Sequence, residues 1–313
     1  MPHPLDLPSL SVGARVQDTF LVLDTERKRH EGGAYTVLTL GNATGRIPSA
    51  PFWSEDESLI QGIRRGHVVQ VIGEVQEYRG RRQIHVTAPL RLLPENSVNL
   101  AELLPSVGDV TRYWETLDGW RRDVGRPGLA RVLSLFYDDD DFRQRYGQCP
   151  ASVSGHHAEL GGLLKHTVEV GAIARVITRV CGADPDLVLA GTLLHDIGKL
   201  ESYSWDGVFD YTDAHYLSGH VVLGTLMLER RIAAAPEPPC SDAERAALQH
   251  LILSHHGRRE YGSPVVPATL EAEVLYQADS ASAHTASMAD AVRHAEGGMR
   301  RGKDVKERRQ GEA

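Results

Sequence analysis

The sequence predicts two domains of different fold class, an all-β barrel followed by an all-α bundle. Through about residue 98, short runs alternate apolar and polar residues and are broken by glycine, which is typical of strands. From residue 109 onward, apolar residues recur at helical spacing. The chain has 313 residues, more than one typical domain, and its 41% hydrophobic content is sufficient for a substantial core.

Composition limits the classes of function. The formal net charge of −8 argues against a protein that grips nucleic acid by bulk positive charge, although a local groove can still be basic. Cys149, Cys181 and Cys240 are odd in number and lack CxxC spacing, so we expect ordinary thiols in a reducing compartment. The first ten residues do not resemble a signal peptide, and no apolar run reaches the roughly 18 residues of a membrane span. We therefore expect a cytoplasmic protein that does not bind membranes.

Residues 1–98 are predicted to form five strands with a helical break. Alternation is clear at residues 35–40 and 69–75, and the break lies near residues 56–65, between the third and fourth strands. Gly41-Asn42 and Arg79-Gly80 are predicted to supply the left-handed backbone positions of hairpin turns. This order of elements resembles the OB-fold, a small barrel that often holds single-stranded nucleic acid or oligosaccharide.

Basic and aromatic residues of the barrel are candidates for nucleic-acid contact, because bases stack on rings and phosphates attract cationic side chains. The alternative is that the charged residues are ordinary solvated loop residues and that the rings fill the barrel. The candidates are Arg27, Lys28, Tyr35, Trp53, Arg79 and Arg81.

A change of composition separates the two domains. Residues 99–108 are predicted to be a linker, and residues 109–296 are predicted to form the helical domain. Residues 297–313 are rich in glycine and charge and are predicted to fray. Eleven of the 15 histidines lie between residues 156 and 294, so the helical domain is where we expect the chemistry.

Polar residues in apolar helical surroundings point to a site in this domain. His195 and Asp196 stand side by side at the end of an apolar helix, with Gly198 as the predicted helix stop. His166 projects from the apolar face of its helix. His220 repeats the arrangement, with Leu217 and Met227 at the same helical spacing. A lone inward histidine is more often a hydrogen-bonded core residue, so each of these alone is a weak signal.

An inward carboxylate is harder to explain without a ligand. Asp279 lies one turn after Leu275, and burying an ionised aspartate unpaired is very costly, so it needs a cation or several donors. His255 and His256 end another helix just before Gly257. Together these residues favour a metal centre.

The ligand types indicate which metals fit. A ligand set of imidazoles and carboxylates without thiolates favours a site for Mn, Fe, Zn, Co or Ni over a structural, cysteine-rich zinc site. There are more candidate ligands than one ion needs, which leaves one ion or two open; two ions would lie about 3.5 to 4 Å apart and share the Asp196 carboxylate as a bridge. Such a pair would hold a hydroxide for in-line attack at phosphorus, which is a hydrolase layout.

These residues also carry a family resemblance. The series His166, His195-Asp196 and Asp279 resembles the H…HD…D pattern of the HD-domain metal-dependent phosphohydrolases, over about residues 155–290. The strings HHAELGGLLKHT, LLHDIGKL, LSGH and LILSHHG, after an OB-like domain, are similar to the YhaM family of 3′-to-5′ exoribonucleases. The resemblance implies cleavage of single-stranded RNA, with single-stranded DNA left open, and Mn²⁺ as the metal.

The resemblance also implies a role for each matched residue. One ion would be held by His166, His195, Asp196 and Asp279, and a second by His220, His255 and His256 with Asp196 shared. Asp196 and Lys199 would act in catalysis, with Lys199 balancing phosphate charge; the alternative for Lys199 is a lysine that complements a helix dipole. His156 and His157 would contact substrate or merely precede the helix. After Asp279, SASAHTASM lacks the further acidic residues expected in relatives.

Two other functions stay open at this point. One is an HD phosphohydrolase of nucleotides or cyclic dinucleotides, which would not need the barrel. The other is a nucleic-acid binding or adaptor protein with a redundant metal site. The set of candidate ligands is intact, which argues against this second function. The sequence also leaves a homo-oligomer open.

Overall fold

The computed structural model describes residues 5–30, 33–94, 98–154 and 157–293. The candidate His156 and the predicted tail at 297–313 lie outside these ranges. The chain divides into two compact units, one of Met1–Ser106 with Ser204–Asp210 and one of Val107–Tyr203 with Tyr211–Ala313. The first unit is mainly β-structure and the second is mainly helical.

The first unit is organised around one long strand. Its described strands are β1 (Arg15–His30), β2 (Gly33–Asn42), β3 (Gly45–Pro48), β4 (Val68–Tyr78), β5 (Arg81–Val86) and β6 (Arg91–Leu92). The first half of β1 pairs with β4 and its second half pairs with β2, both antiparallel, with a bulge at Leu23 where the register shifts. One strand therefore belongs to both halves of the sheet.

The sheet closes on itself. The strand order is β3-β2-β1-β4-β5, with β6 paired to β4. A parallel bridge joins Ser49, just after β3, to Ile84 in β5, and Ala50 N donates to Ile84 O at 2.8 Å. This strand order confirms the predicted OB-like barrel. A 3₁₀ turn at Glu57–Ile60 occupies the predicted helical break.

Alternating side chains of the strands fill the barrel, as period-2 patterning requires. Fully buried residues include Phe20, Val22, Leu38, Leu40, Val69, Val71, Val75 and Ile84.

One of the two predicted hairpin turns is corrected. β2 continues through Gly41-Asn42, and the residue with positive φ is Gly45. Gly41 is needed for a different reason, because a Cβ there would lie 2.4 Å from Cδ1 of Leu23. By contrast, Arg79 (φ 53°) and Gly80 (φ 75°) do form the left-handed turn between β4 and β5.

The second unit is the predicted helical bundle. Its described helices are α1 (Thr111–Asp123), α2 (Pro127–Tyr137), α3 (Asp140–Gln148), α4 (Gly162–Cys181), α5 (Pro185–Leu194), α6 (Lys199–Ser202), α7 (Asp213–Ala234), α8 (Asp242–Ser254) and α9 (Leu270–Arg293). The short strands β7 (Tyr203–Ser204) and β8 (Asp210–Tyr211) lie between α6 and α7. Among the described residues, none of the helices is both long and apolar enough to cross a membrane.

Helix α5 is the centre of the bundle. Residues 188–194 are all buried, as expected for a helix that is apolar on every side. Asp184 caps its first turn and Pro185 occupies its first position, so its start is well defined. His195 and Asp196 directly follow its last residue and are buried.

Candidate functional site

Seven predicted ligands converge in the helical unit from five separate segments. α4 supplies one histidine, the turn after α5 supplies the His-Asp pair, α7 supplies one histidine, the end of α8 supplies two, and α9 supplies an aspartate. The residues are His166, His195, Asp196, His220, His255, His256 and Asp279.

One oxygen of Asp196 faces the first group of ligands. Its Oδ2 lies 3.2 Å from His195 Nε2 and 3.5 Å from His166 Nε2. His166 Nε2 in turn lies 3.0 Å from Asp279 Oδ1. The ligand atoms of His166, His195 and Asp196 are all within 4.8 Å of one another.

The other oxygen faces the second group. Asp196 Oδ1 lies 3.5 Å from His220 Nε2 and 3.6 Å from His255 Nε2. His220 Nε2 and His256 Nε2 are 3.2 Å apart, and the ligand atoms of these three histidines lie within 4.8 Å of one another. The Asp196 carboxylate thus stands between two groups of imidazoles.

The rings are oriented by hydrogen bonds from their opposite nitrogens. Nδ1 of His195 is 2.7 Å from Thr192 O, and Nδ1 of His255 is 2.6 Å from Ile252 O, each three residues earlier. Nδ1 of His256 is 2.7 Å from the carbonyl of Tyr261. A carbonyl can only accept, so each Nδ1 carries a hydrogen and each Nε2 is left as a lone pair that points inward, the form that binds a metal.

Several of these inward atoms make no hydrogen bond among the described residues. They are Nε2 of His195, Nε2 of His255 and Oδ1 of Asp196, all buried. Buried polar atoms are normally hydrogen-bonded, so converging unpartnered acceptors fit a cation. Burial lowers the pKa of His220 well below its usual value and that of His255 to about 3, which keeps both rings neutral and able to coordinate.

Lys199 and Asp196 form a buried pair within the site. Lys199 Nζ donates to Asp196 Oδ2 at 2.6 Å. Burial acts to raise the pKa of Asp196, but the charge of Lys199 and the adjacent His195 imidazole hold it well below its usual value. The carboxylate is therefore ionised. Its charge also raises the pKa of His195 above the ordinary value although burial acts to lower it.

A second layer of residues supports His166 and was missed by sequence reasoning. Ser282 Oγ lies 3.3 Å from His166 Nδ1, and the same hydroxyl donates to Glu169 Oε2 at 3.1 Å. His157 Nε2 lies 2.9 Å from that carboxylate oxygen, with its ring buried. His157 thus supports Glu169, and the substrate contact predicted for it stays a prediction. Glu169 lies three residues after His166, and Ser282 three after Asp279, so helical spacing was the available signal.

The structure revises two local details of the predicted site. Gly198 has φ −66° rather than a left-handed value, and a Cβ there would lie 2.0 Å from the carbonyl oxygen of His220. It permits close approach of α7 instead of stopping a helix. Within α7, Gly219 has φ 71° and ψ 156°, so the helix breaks just before His220 and Leu217 is 85% exposed. Leu217 is therefore not part of the inward face predicted for His220.

The candidates of the barrel lie in two places. At one end, Lys28 pairs with Tyr35 in the β1–β2 register, and the rings of Tyr35 and Trp53 lie 4.9 Å apart. Both basic residues there have acidic partners, Glu57 for Arg27 at 3.4 Å and Glu26 for Lys28 at 2.5 Å.

The arginines of the β4–β5 turn lie at the opposite end of β1. β4 passes the start of β1, where Glu74 pairs with Arg15, before it reaches Tyr78 and the turn. The guanidinium of Arg79 lies 5.2 Å from the Tyr78 ring, and Arg81 pairs with Tyr78 in the strand register. The structure therefore does not gather the six candidates into one patch.

Comparison with known proteins places this site in a family. The family model of the HD domain matches residues 163–284, which include every predicted ligand. Proteins named 3′-5′ exoribonuclease YhaM are similar over nearly their whole length. The one from Bacillus velezensis (strain DSM 23117) is 30% identical, over 87% of this chain and 86% of its own.

The chain belongs to the YhaM family. The relatives of the same name from Listeria welshimeri and Bacillus subtilis are 28% and 29% identical and cover 93% and 87% of this chain. This confirms the predicted resemblance and the prediction of a hydrolytic nuclease. A solution NMR structure of the OB domain of MM0293 from Methanosarcina mazei matches with a TM-score of 0.24 and 20% identity, over 29% of this chain and 80% of that one. At that TM-score, the assignment of the barrel rests on its strand order.

Proposed function

We propose that this YhaM-family protein is a metal-dependent 3′-to-5′ exonuclease of single-stranded RNA, and that its centre holds two divalent ions around Asp196. The observation that carries the proposal is the position of the Asp196 carboxylate. Each of its oxygens faces a separate group of imidazole Nε2 atoms at 3.2 to 3.6 Å, in a buried setting.

The donor set supports particular ligands for each ion. His166, His195 and Asp279 would hold one, His220, His255 and His256 the other, and Asp196 would belong to both. Neutral imidazoles with carboxylates suit Mn²⁺ better than Mg²⁺, which prefers oxygen ligands and retains its waters. Bound there, divalent ions supply Lewis acidity at a phosphoryl oxygen and make water more acidic.

Two residues of the chain have roles apart from coordination. Lys199 holds the Asp196 carboxylate in place through its 2.6 Å hydrogen bond and contributes a fixed positive charge beside it. That charge also favours an anionic phosphodiester near the centre, which is the role predicted for Lys199 in catalysis. Ser282 fixes the ring of His166 from behind, so that Nε2 keeps facing Asp196 and Asp279.

The substrate class and the polarity rest on the relatives and on the barrel. Proteins named 3′-5′ exoribonuclease match this chain over most of both lengths, which supports the same direction and polymer here. In the barrel, Tyr35 and Trp53 offer neighbouring rings beside Lys28, and successive bases of a flexible strand can stack on such rings. Single-stranded DNA, which has the same faces and phosphates, is a second substrate to test.

A ladder assay tests this proposal. Full-length protein, stripped with a chelator, is incubated with 5′-labelled single strands of RNA or DNA, without metal and with Mn²⁺ or Mg²⁺. We expect labelled products that shorten step by step from the 3′ end, only with metal and more efficiently with Mn²⁺. A strand with phosphorothioate linkages at its 3′ end is the control and should resist. Release of the 5′ label as a mononucleotide, or equal shortening with chelator, would contradict the proposal.

A further inference from the structure

The proposed metal centre is partly exposed in each of its two groups of ligands. The side chains of His195 and Asp196 are at most 1% exposed, whereas His220 is 12% exposed and Asp279 is 15% exposed. A polymer can therefore reach the centre at His220 or at Asp279. The chain just before His220 lies beside the first of these openings.

A series of aromatic rings occupies that segment. The rings of Tyr203 and Tyr211 are 5.5 Å apart, and Tyr211 stacks on His215 at 4.0 Å with an angle of 21° between the planes. Tyr216 completes the series, 5.9 Å from Tyr211 and 5.8 Å from His215, both edge-on. The series begins with the buried Tyr203 and ends at Tyr216, which is 71% exposed.

The segment that carries these rings is hydrogen-bonded to α6, the short helix that begins with Lys199. Thr212 caps α7, its N donates to Ser202 O at 2.9 Å, and its hydroxyl donates to Glu201 O at 2.7 Å. Glu201 and Ser202 belong to α6, which begins with Lys199, the partner of Asp196. The rings are therefore held at a set position relative to the metal centre. The break at Gly219 turns the chain between Tyr216 and His220.

We propose that Tyr216, supported by the stacked pair Tyr211 and His215, is a stacking subsite for a nucleobase at the 3′ end of the bound strand. The inference rests on the proposed function, since only a nucleic-acid substrate brings a flat base beside the reacting phosphodiester. An exposed tyrosine ring braced by other rings presents a fixed apolar face, which every base can stack on regardless of sequence. This would suit an enzyme that shortens strands of any sequence.

The test compares two substrates and three variants. The substrates are a single-stranded oligoribonucleotide and the same strand with abasic residues at its 3′ end. Tyr216→Ala removes the ring, Tyr216→Phe keeps it, and Leu217→Ala is the matched control because Leu217 is 85% exposed but has no ring. Thermal melting checks that each variant is folded.

We expect Tyr216→Ala to raise KM for the intact strand about tenfold, with kcat near wild type, as loss of one stacked base implies. Tyr216→Phe and Leu217→Ala should stay within about twofold of wild type. On the abasic strand, Tyr216→Ala and wild type should have equal KM. An unchanged KM on the intact strand, or an equal rise on both strands, would overturn the subsite alone. No shortening of either strand by wild type would overturn the proposed function and the subsite with it.

Discussion

The proposed metal centre and the barrel surface contrast in how their polar residues are held. In the centre, charged and polar side chains from five segments are buried or half-buried, and several rings are oriented by hydrogen bonds to backbone or hydroxyl groups and face one carboxylate. On the barrel, the basic candidates are exposed, two have acidic partners nearby, and they lie at both ends of β1. Burying a polar side chain without a partner costs free energy of folding, so such a residue is a strong indication of function. An exposed arginine carries no such cost and is therefore a weaker indication.

From this contrast we expect substitutions in the centre to lower kcat and substitutions on the barrel to raise KM. The largest effect should come from Asp196→Asn, which removes the negative charge between the two imidazole groups and replaces one of the two oxygens with an amide NH2. Loss of several kcal/mol of charge stabilisation implies a fall in kcat of about a thousandfold or more. Single-turnover shortening of labelled RNA measures it. Asp206→Asn, an exposed aspartate outside the centre, is the control. Turnover near wild type in the Asp196→Asn variant would contradict a direct role of this carboxylate in the chemistry.

A smaller effect is expected from the residues behind His166. Ser282→Ala should free the His166 ring and weaken Mn²⁺ binding about 10- to 100-fold without unfolding the protein. Isothermal titration with Mn²⁺ measures the affinity. Ser280→Ala is a matched control, since Ser280 lies on the same helix and its hydroxyl lies 3.4 Å from Nδ1 of His284, which is not a predicted ligand. Equal affinities for both variants would remove Ser282 from the support of the centre.

The smallest effects should come from the barrel. Tyr35→Ala should raise KM for a long single strand about tenfold while kcat stays unchanged, because it removes one stacking ring. Arg79→Ala should lower the slope of log KM against log salt concentration by about one, the loss of a single phosphate contact. Steady-state kinetics at several salt concentrations separates the two. If both variants behave as wild type, the barrel does not hold the substrate, and its role would lie in assembly or partner binding.

The sequence predicted what depends on local pattern. Alternation predicted the strands, helical periodicity predicted the bundle, and polar residues on apolar faces, such as His166 and Asp279, predicted side chains that the structure brings together. In each case the physical cause is the burial of a side chain, which leaves a trace in the spacing of its apolar neighbours.

What escaped prediction depends on contacts between distant segments. Gly198 looks like a helix stop, yet its backbone lies against His220 O, and no pattern around it reveals that approach. Gly41 is likewise explained by Leu23 rather than by a turn. The break at Gly219 falls at a Ser-Gly dipeptide, which is typical of turns, but the apolar spacing on both sides predicted one continuous helix, so Leu217 was predicted inward and is exposed. Ser282 and Glu169 look ordinary until α4 and α9 are packed together.

The proposed centre requires that two ions share Asp196. Chelator-stripped wild-type protein and the Asp196→Asn variant are dialysed against a series of Mn²⁺ concentrations, and bound metal is counted by atomic emission. We expect two ions per wild-type chain and weaker binding of both ions in the variant, because the substitution removes the negative charge that lies between the two groups of imidazoles. Saturation of wild type at a single ion, or a variant that loses affinity for only one of two, would contradict a shared carboxylate.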